Sequence, residues 1–273
     1  LSANQPPRPL RLSRLCRQQL RVSSRDWYLT NPRTDISIRN MIPRLLENTV
    51  LQKLASQNKV LVVLGARQVG KTTLLKSLQQ KLTKDQKKIL YLNCDIEEER
   101  RAINTTSLAA LQKLVADSDY LLIDEAQRLD NPGLSPSNLF DNFKSLRTVV
   151  TGSSSFNLKN KLSDALTGRC LDFILYPISF SETFATLDVS PNKVLRKNQA
   201  DALLGDVLLY GLYPEVFLAE KRKDKILYLE KIVESYLFKD ILTLQKVRYS
   251  QSIKDLARAL AYQAGAEVNE NEL

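Results

Sequence analysis

Between a short β-branched run and a helical pattern lies Gly65-Ala66-Arg67-Gln68-Val69-Gly70-Lys71-Thr72. The octet satisfies Gly-x-x-x-x-Gly-Lys-Ser/Thr without departure, and that motif demands a strand before it and a helix after it. The glycines permit backbone dihedrals that gather amide N–H groups around phosphate oxygens. The helix start adds a dipole that favours anions. Lys71 is placed to reach β- and γ-phosphates, and the Thr72 hydroxyl to join a Mg²⁺ shell. The phosphate-binding set is therefore Gly65, Ala66, Arg67, Gln68, Val69, Gly70, Lys71, Thr72 and Thr73. The bland alternative is a Gly-rich strand-to-helix turn with an incidental lysine. With only eight glycines in 273 residues, the spacing is not a by-product of general glycine richness.

The flanks agree. Apolar residues Ile42, Leu45, Leu46, Val50, Leu51, Leu54 and Ala55 fall at helical spacing and predict a helix over about 42–57. Lys59 to Leu64 is a buried-strand run, and 72–84 follows as a helix. Strands are expected at 88–93, 120–124, 147–151 and 170–175, with mostly helical pattern over 97–118 and helices over 137–145 and 155–167. Alternating strands and helices predict an α/β, three-layer parallel sheet. From about 179 the pattern is helix after helix, at 179–187, 193–210, 214–220, 224–246 and 250–264. The expected organisation is a leader at 1–40, a core at 41–178 and a helical subdomain at 179–273, the last running into a further domain expected to be cut short.

Three further elements carry candidate chemistry. Tyr120-Leu121-Leu122-Ile123-Asp124-Glu125 brings two acids to the C-terminal end of a parallel strand, where ligands bind. Lying 53 residues after Lys71 and beyond an intervening strand, Asp124 suits Mg²⁺ binding through water, and Glu125 suits activation of the attacking water. Thr151-Gly152-Ser153-Ser154-Ser155 ends another strand in hydroxyl residues. Ser153 or Ser154 can contact a γ-phosphate, while an N-cap role for the next helix competes with that reading. Arg169 is a candidate transition-state cation, acting in cis or from a neighbouring subunit; a surface salt bridge is the plain alternative. Gln127 and Arg128 follow the acids as weaker candidates for linking the site to the subdomain.

Composition removes other chemistries. The chain has no histidine, which excludes Ser-His-Asp and Cys-His nucleophile systems and His-based zinc sites. Cys16, Cys94 and Cys170 are too few and too widely spaced for a disulfide framework or a Cys-x-x-Cys metal site. No apolar run approaches the ~20 residues of a membrane span. A reducing, cytoplasmic setting is the default expectation. The net charge of +10 is uneven: residues 1–40 carry eight arginines against two aspartates, while residues 41–273 hold 32 basic against 28 acidic residues. That leader reads as upstream sequence, a targeting segment or a functional arm.

The stretches 65–75, 122–127 and 151–155 together resemble the AAA-type P-loop ATPases of bacteria and archaea, in the family whose ATPase core precedes a poorly characterised C-terminal domain. Leu166-Thr167-Gly168-Arg169, Leu175-Tyr176-Pro177-Ile178-Ser179-Phe180-Ser181-Glu182, Gly211-Leu212-Tyr213-Pro214-Glu215 and Tyr236-Leu237-Phe238-Lys239-Asp240-Ile241 extend the resemblance over about 41–264. It implies an AAA-like sheet with helical additions, binding of ATP and Mg²⁺, and slow hydrolysis.

The expected activity is thus Mg²⁺-dependent ATP hydrolysis by a switch or motor, with Lys71, Glu125, Ser153 and Arg169 as catalytic residues and Thr72 and Asp124 as metal ligands. Small-molecule or nucleotide kinases use the same loop, but the adjacent acids favour water as acceptor. The chain lacks an Asn-Lys-x-Asp guanine-reading motif, which favours ATP over GTP. A nucleic-acid-associated ATPase is a further alternative, motivated by the basic charge. Expected partners are ATP, a protein or nucleic-acid client, and other copies of the chain.

Overall fold

The computed structural model describes residues 42–153, 165–186, 192–234 and 250–263. Its sheet has five parallel strands: β1 (Val60–Gly65), β2 (Ile89–Asn93), β3 (Tyr120–Asp124), β4 (Arg147–Ser153) and β5 (Cys170–Ile174). Their spatial order is β2-β3-β4-β1-β5. β1, the strand leading into the phosphate loop, lies between β4 and β5, and all six of its residues are buried. That placement explains its unbroken apolar run, since a strand covered on both faces has no polar side.

Side-chain alternation sorts the core into two clusters. Val60, Val62, Leu64, Leu121, Ile123 and Val150 face one side, against Ile103, Leu111, Val115 and Leu139. Those partners lie on α3 (Glu97–Ile103), α4 (Leu108–Val115) and α5 (Leu134–Asn142). Leu61, Val63, Leu122 and Val149 face the other side, against Val50 and Leu54 of α1 (Leu45–Ser56) and Leu74, Leu75 and Leu78 of α2 (Lys71–Lys84). The expected three layers are present. Glu47 on α1 accepts a hydrogen bond from Ser77 and pairs with Lys81 at 3.0 Å, pinning α1 to α2.

Two expected helices are placed differently. The pattern over 97–118 divides into α3 and α4, because Ser107 caps the second: its Oγ accepts from the Ala110 amide at 3.3 Å. α5 begins at Leu134 rather than 137, since Pro136 fits the first turn, where its missing N–H goes unused. The helix expected over 155–167 lies mostly outside the described residues, as do Ser154, Ser155 and the segment 1–40.

Beyond the sheet come α6 (Phe180–Thr186), α7 (Lys193–Tyr210), α8 (Pro214–Leu218), α9 (Arg222–Val233) and α10 (Ser250–Tyr262). The Ile178 amide donates to the Leu212 carbonyl at 3.0 Å, and Tyr213 packs against the α1–α2 side of the core. Among the described residues, no helix is long and apolar enough to cross a membrane.

Candidate nucleotide site

The register of β1 with β4 sets Gly65 beside Ser153, and that of β2 with β3 sets Asn93 beside Asp124. The phosphate loop, Asp124, Glu125 and Ser153 therefore converge on the C-terminal edge of the sheet. α2 begins at Lys71, directly after the loop, so its free amides and dipole face the same space.

The two loop glycines serve different purposes. Gly70 has φ +96, a left-handed conformation that any side chain would strain. Gly65 is needed for close approach: a Cβ there would stand 2.5 Å from the Leu175 carbonyl oxygen and 3.0 Å from Val69 Cγ2. Gln68 also sits at φ 60, so left-handed residues flank Val69 on both sides. Ala66 and Thr72 are half-buried, whereas Arg67, Gln68 and Thr73 are exposed.

Lys71 is buried, and its Nζ donates to the Gly65 carbonyl at 3.1 Å and the Ala66 carbonyl at 2.9 Å. Burial lowers its ammonium below the usual lysine range, against the opposing pull of the Glu125 and Asp124 carboxylates. The lysine and both acids thus share one electrostatic environment.

Asp124 is 1% exposed, and its carboxylate accepts from three donors. Its Oδ1 accepts from the Thr151 hydroxyl and, at 3.1 Å, from the Glu125 amide; its Oδ2 accepts from the Tyr91 hydroxyl at 2.9 Å. Burial first, and then Asp124, raises the Tyr91 phenol well above its usual range, so it remains a donor. Tyr91 and Thr151 had no assigned role in the sequence reading. The signal for Thr151 was the pattern of alternation, since it shares a sheet face with Val149; Tyr91 lies on a separate strand and carried no such mark.

Hard oxygen donors, a threonine hydroxyl and a carboxylate, are the set Mg²⁺ prefers when it keeps several waters. Both Asp124 oxygens already accept protein hydrogen bonds, which suits contact with a hydrated ion through water. Among the described residues there is no cluster of three or more His, Cys, Asp or Glu that could hold a metal by itself. Cys94 is buried nearby, and burial followed by the Asp124 charge pushes its thiol up to about 12, which favours the protonated form.

Glu125 adopts φ 56, an uncommon conformation for a residue with a side chain and one that concentrates at functional sites. Its Oε2 accepts from Gln127 Nε2, and Gln127 Oε1 accepts from the Ser153 amide at 3.0 Å. Gln127 therefore bridges the acid after β3 to the end of β4. Arg128 pairs instead with Asp95 at 2.7 Å.

Arg169 does not join this group. It precedes β5, and its carbonyl accepts from the Val60 amide at 3.0 Å, at the N-terminal edge of the sheet. Its Nε pairs with Asp141 at 3.0 Å. The length of a six-residue strand, about 17 Å, separates its backbone from the loop, so the fold does not bring Arg169 to the phosphate loop of its own chain.

Arg44 is a site residue that the sequence did not disclose. Its Nη1 donates to the Val69 carbonyl in the phosphate loop at 2.7 Å, its Nη2 to the Tyr176 carbonyl at 2.6 Å, and its Nε pairs with Glu182 at 3.2 Å.

Comparisons with known proteins agree with this architecture. Residues 57–184 match the family model described as an AAA domain, and residues 201–273 match a domain of unknown function (DUF8612). An uncharacterized protein of Methanocaldococcus jannaschii is 27% identical over 211 residues, covering 74% of this chain and 46% of that protein. An uncharacterized protein of Haemophilus influenzae is 28% identical over 220 residues, covering 78% of this chain and 53% of that protein. The chain thus spans about half the length of the curated relatives it matches. A Walker-type ATPase of Pyrococcus abyssi shares the fold, with a TM-score of 0.52 at 16% identity over 89% of this chain and 90% of that one. The loop, the acids and the sheet order agree with these matches: residues 57–184 resemble an AAA-type P-loop domain, and a match to a further domain follows.

Proposed function

We propose that the chain binds ATP with Mg²⁺ and hydrolyses it, as a molecular switch or motor of AAA type. The observation that carries this reading is the convergence of Lys71, Asp124 and Glu125 on the edge of the sheet where α2 begins. Loop amides cradle the phosphates, and Lys71 turns from the Gly65 and Ala66 carbonyls toward the β- and γ-phosphates. Thr72 and Asp124 would hold the hydrated ion, which would supply positive charge to offset that of the phosphates. Tyr91 and Thr151 keep the Asp124 carboxylate oriented.

Glu125 takes a proton from the attacking water. The water oxygen bonds to the γ-phosphorus as its bond to the bridging oxygen breaks, giving ADP and phosphate. Ser153 senses the γ-phosphate, and Gln127 relays its position to Glu125. Arg169, on the opposite edge, serves a neighbouring copy of the chain rather than its own site.

Glu125→Gln tests the central assignment. ATP affinity should stay within about threefold, while phosphate release falls by about 10²-fold or more. Phosphate release at the unchanged rate would remove Glu125 as the base. Transfer of phosphate to a metabolite in place of release would make the protein a kinase.

A further inference from the structure

We propose that Arg44 and Glu182 are positioning residues that hold the phosphate loop in its nucleotide-receiving shape, setting affinity without touching the reacting atoms. The proposal rests on the reading of that loop as the ATP site.

Arg44 uses all three guanidinium nitrogens. Nη1 reaches the Val69 carbonyl at 2.7 Å, Nη2 the Tyr176 carbonyl at 2.6 Å, and Nε the Glu182 carboxylate at 3.2 Å. Glu182 is equally committed. Its Oε1 also accepts from the Leu45 amide at 2.6 Å, capping α1 from 137 residues away, and its Oε2 accepts from the Ser179 amide at 2.7 Å. The side chains are only 8% and 6% exposed, so the pair is shielded from solvent and cannot rearrange cheaply.

The point of attachment gives the pair its purpose. Val69 lies between Gln68 at φ 60 and Gly70 at φ +96, in a stretch outside any regular hydrogen-bonding ladder. A trans peptide is planar, with its C=O and N–H pointing in opposite directions. Fixing the Val69 carbonyl on Arg44 therefore fixes the Gly70 N–H facing away from Arg44, as a preset donor for phosphate. Without the anchor, that peptide plane must be oriented when nucleotide arrives, and the ordering cost is subtracted from affinity. Arg44 Nη1 stands 3.5 Å, and Pro214 Cγ 4.0 Å, from where a Gly70 Cβ would be. The glycine thus has Arg44, just before α1, and Pro214, at the start of α8, as close neighbours.

Arg44→Lys is the informative variant, because a lysine keeps the charge but cannot span three acceptors. The Kd for ATP and for ADP should rise about tenfold, the loss expected for one hydrogen bond from a charged donor. kcat at saturating ATP should change less than about threefold, since no reacting atom is touched. Leu111→Ala is the control: its side chain is fully buried in the opposite cluster, so it should lower Tm at least as much and leave Kd unchanged. Should Arg44→Lys fail to fold, Glu182→Gln replaces it, with Kd expected to rise at least about threefold.

Wild-type affinity in the Arg44→Lys protein, or in its Glu182→Gln replacement, overturns the proposal. So does an equal loss of affinity in Leu111→Ala, which would make the effect one of general stability. Wild-type protein that binds neither nucleotide would instead overturn the reading of the loop as an ATP site.

Discussion

Replacing Gly65 by alanine separates two reasons for having a glycine in a phosphate loop. The residue is buried at the end of β1 and is not among the described glycines with positive φ, so dihedral strain is not at issue. The obstacle is the Leu175 carbonyl oxygen, 2.5 Å from the new Cβ. A carbon–oxygen contact is comfortable at about 3.3 Å, so the backbones must part by about 0.8 Å. Leu175 is itself tied to β1, its amide donating to the Leu64 carbonyl at 2.7 Å, and parting the strands weakens that bond. Overpacking costs about 1–3 kcal/mol and the weakened hydrogen bond up to about 1 kcal/mol, while reduced freedom of the unfolded chain returns about 0.5 kcal/mol. The net loss is about 2 kcal/mol, which for a domain of this size lowers Tm by about 4–8 °C. Scanning calorimetry beside Gly205→Ala supplies the contrast. Gly205 lies exposed within α7, with nothing within 4 Å of its new Cβ, so there alanine should raise Tm by about 1–3 °C. If Gly65→Ala also raised Tm, the close-approach argument would be wrong.

Two further predictions concern charge. The Glu182 carboxyl would be raised by burial, but the Ser179 and Leu45 amides and then Arg44 outweigh this and hold it below the ordinary value of 4.5. Its stabilising contribution is complete above pH 4.5 and is lost as pH falls through the depressed folded value, so urea midpoints between pH 3 and 7 should fall more steeply for wild type than for Glu182→Gln; parallel curves would contradict this. If Arg169 acts in trans, Arg169→Ala should lower phosphate release by about 10³-fold, and mixing it with Lys71→Ala subunits should restore part of the rate; no recovery on mixing would count against the intersubunit role.

The sheet was legible because each strand is short, apolar and bounded by turn residues, and because the octet at 65–72 fixed what must precede and follow it. The convergence of Lys71, Asp124 and Glu125 could be read for the same reason: it depends on which end of a parallel strand each one occupies or follows. Position along the chain also foretold where Arg169 lies in the sheet. A residue just before a parallel strand lies at the edge away from the C-terminal ends of the strands, which is where Arg169 is found. Arg44 and Glu182 could not be found this way. They stand 138 residues apart, and a single sequence holds no record that one helix start meets another. Tyr91 was hidden for a related reason, since its hydroxyl extends past its own strand to an acid on the next.

The position of β1 bears on how the domain comes to be assembled. Leu61 pairs with Val149 and Val60 with Cys170, so both neighbours of the loop-bearing strand are supplied late in the chain. A nascent polypeptide that has emerged only through α5 carries the complete phosphate motif on a strand with neither neighbour in place. Closing such distant pairings is slow, because loop entropy is spent before the contacts reward it. On the proposed function, a nucleotide that bound only the finished loop would add its binding free energy to the final stage of folding and so act as a ligand chaperone for the domain that binds it.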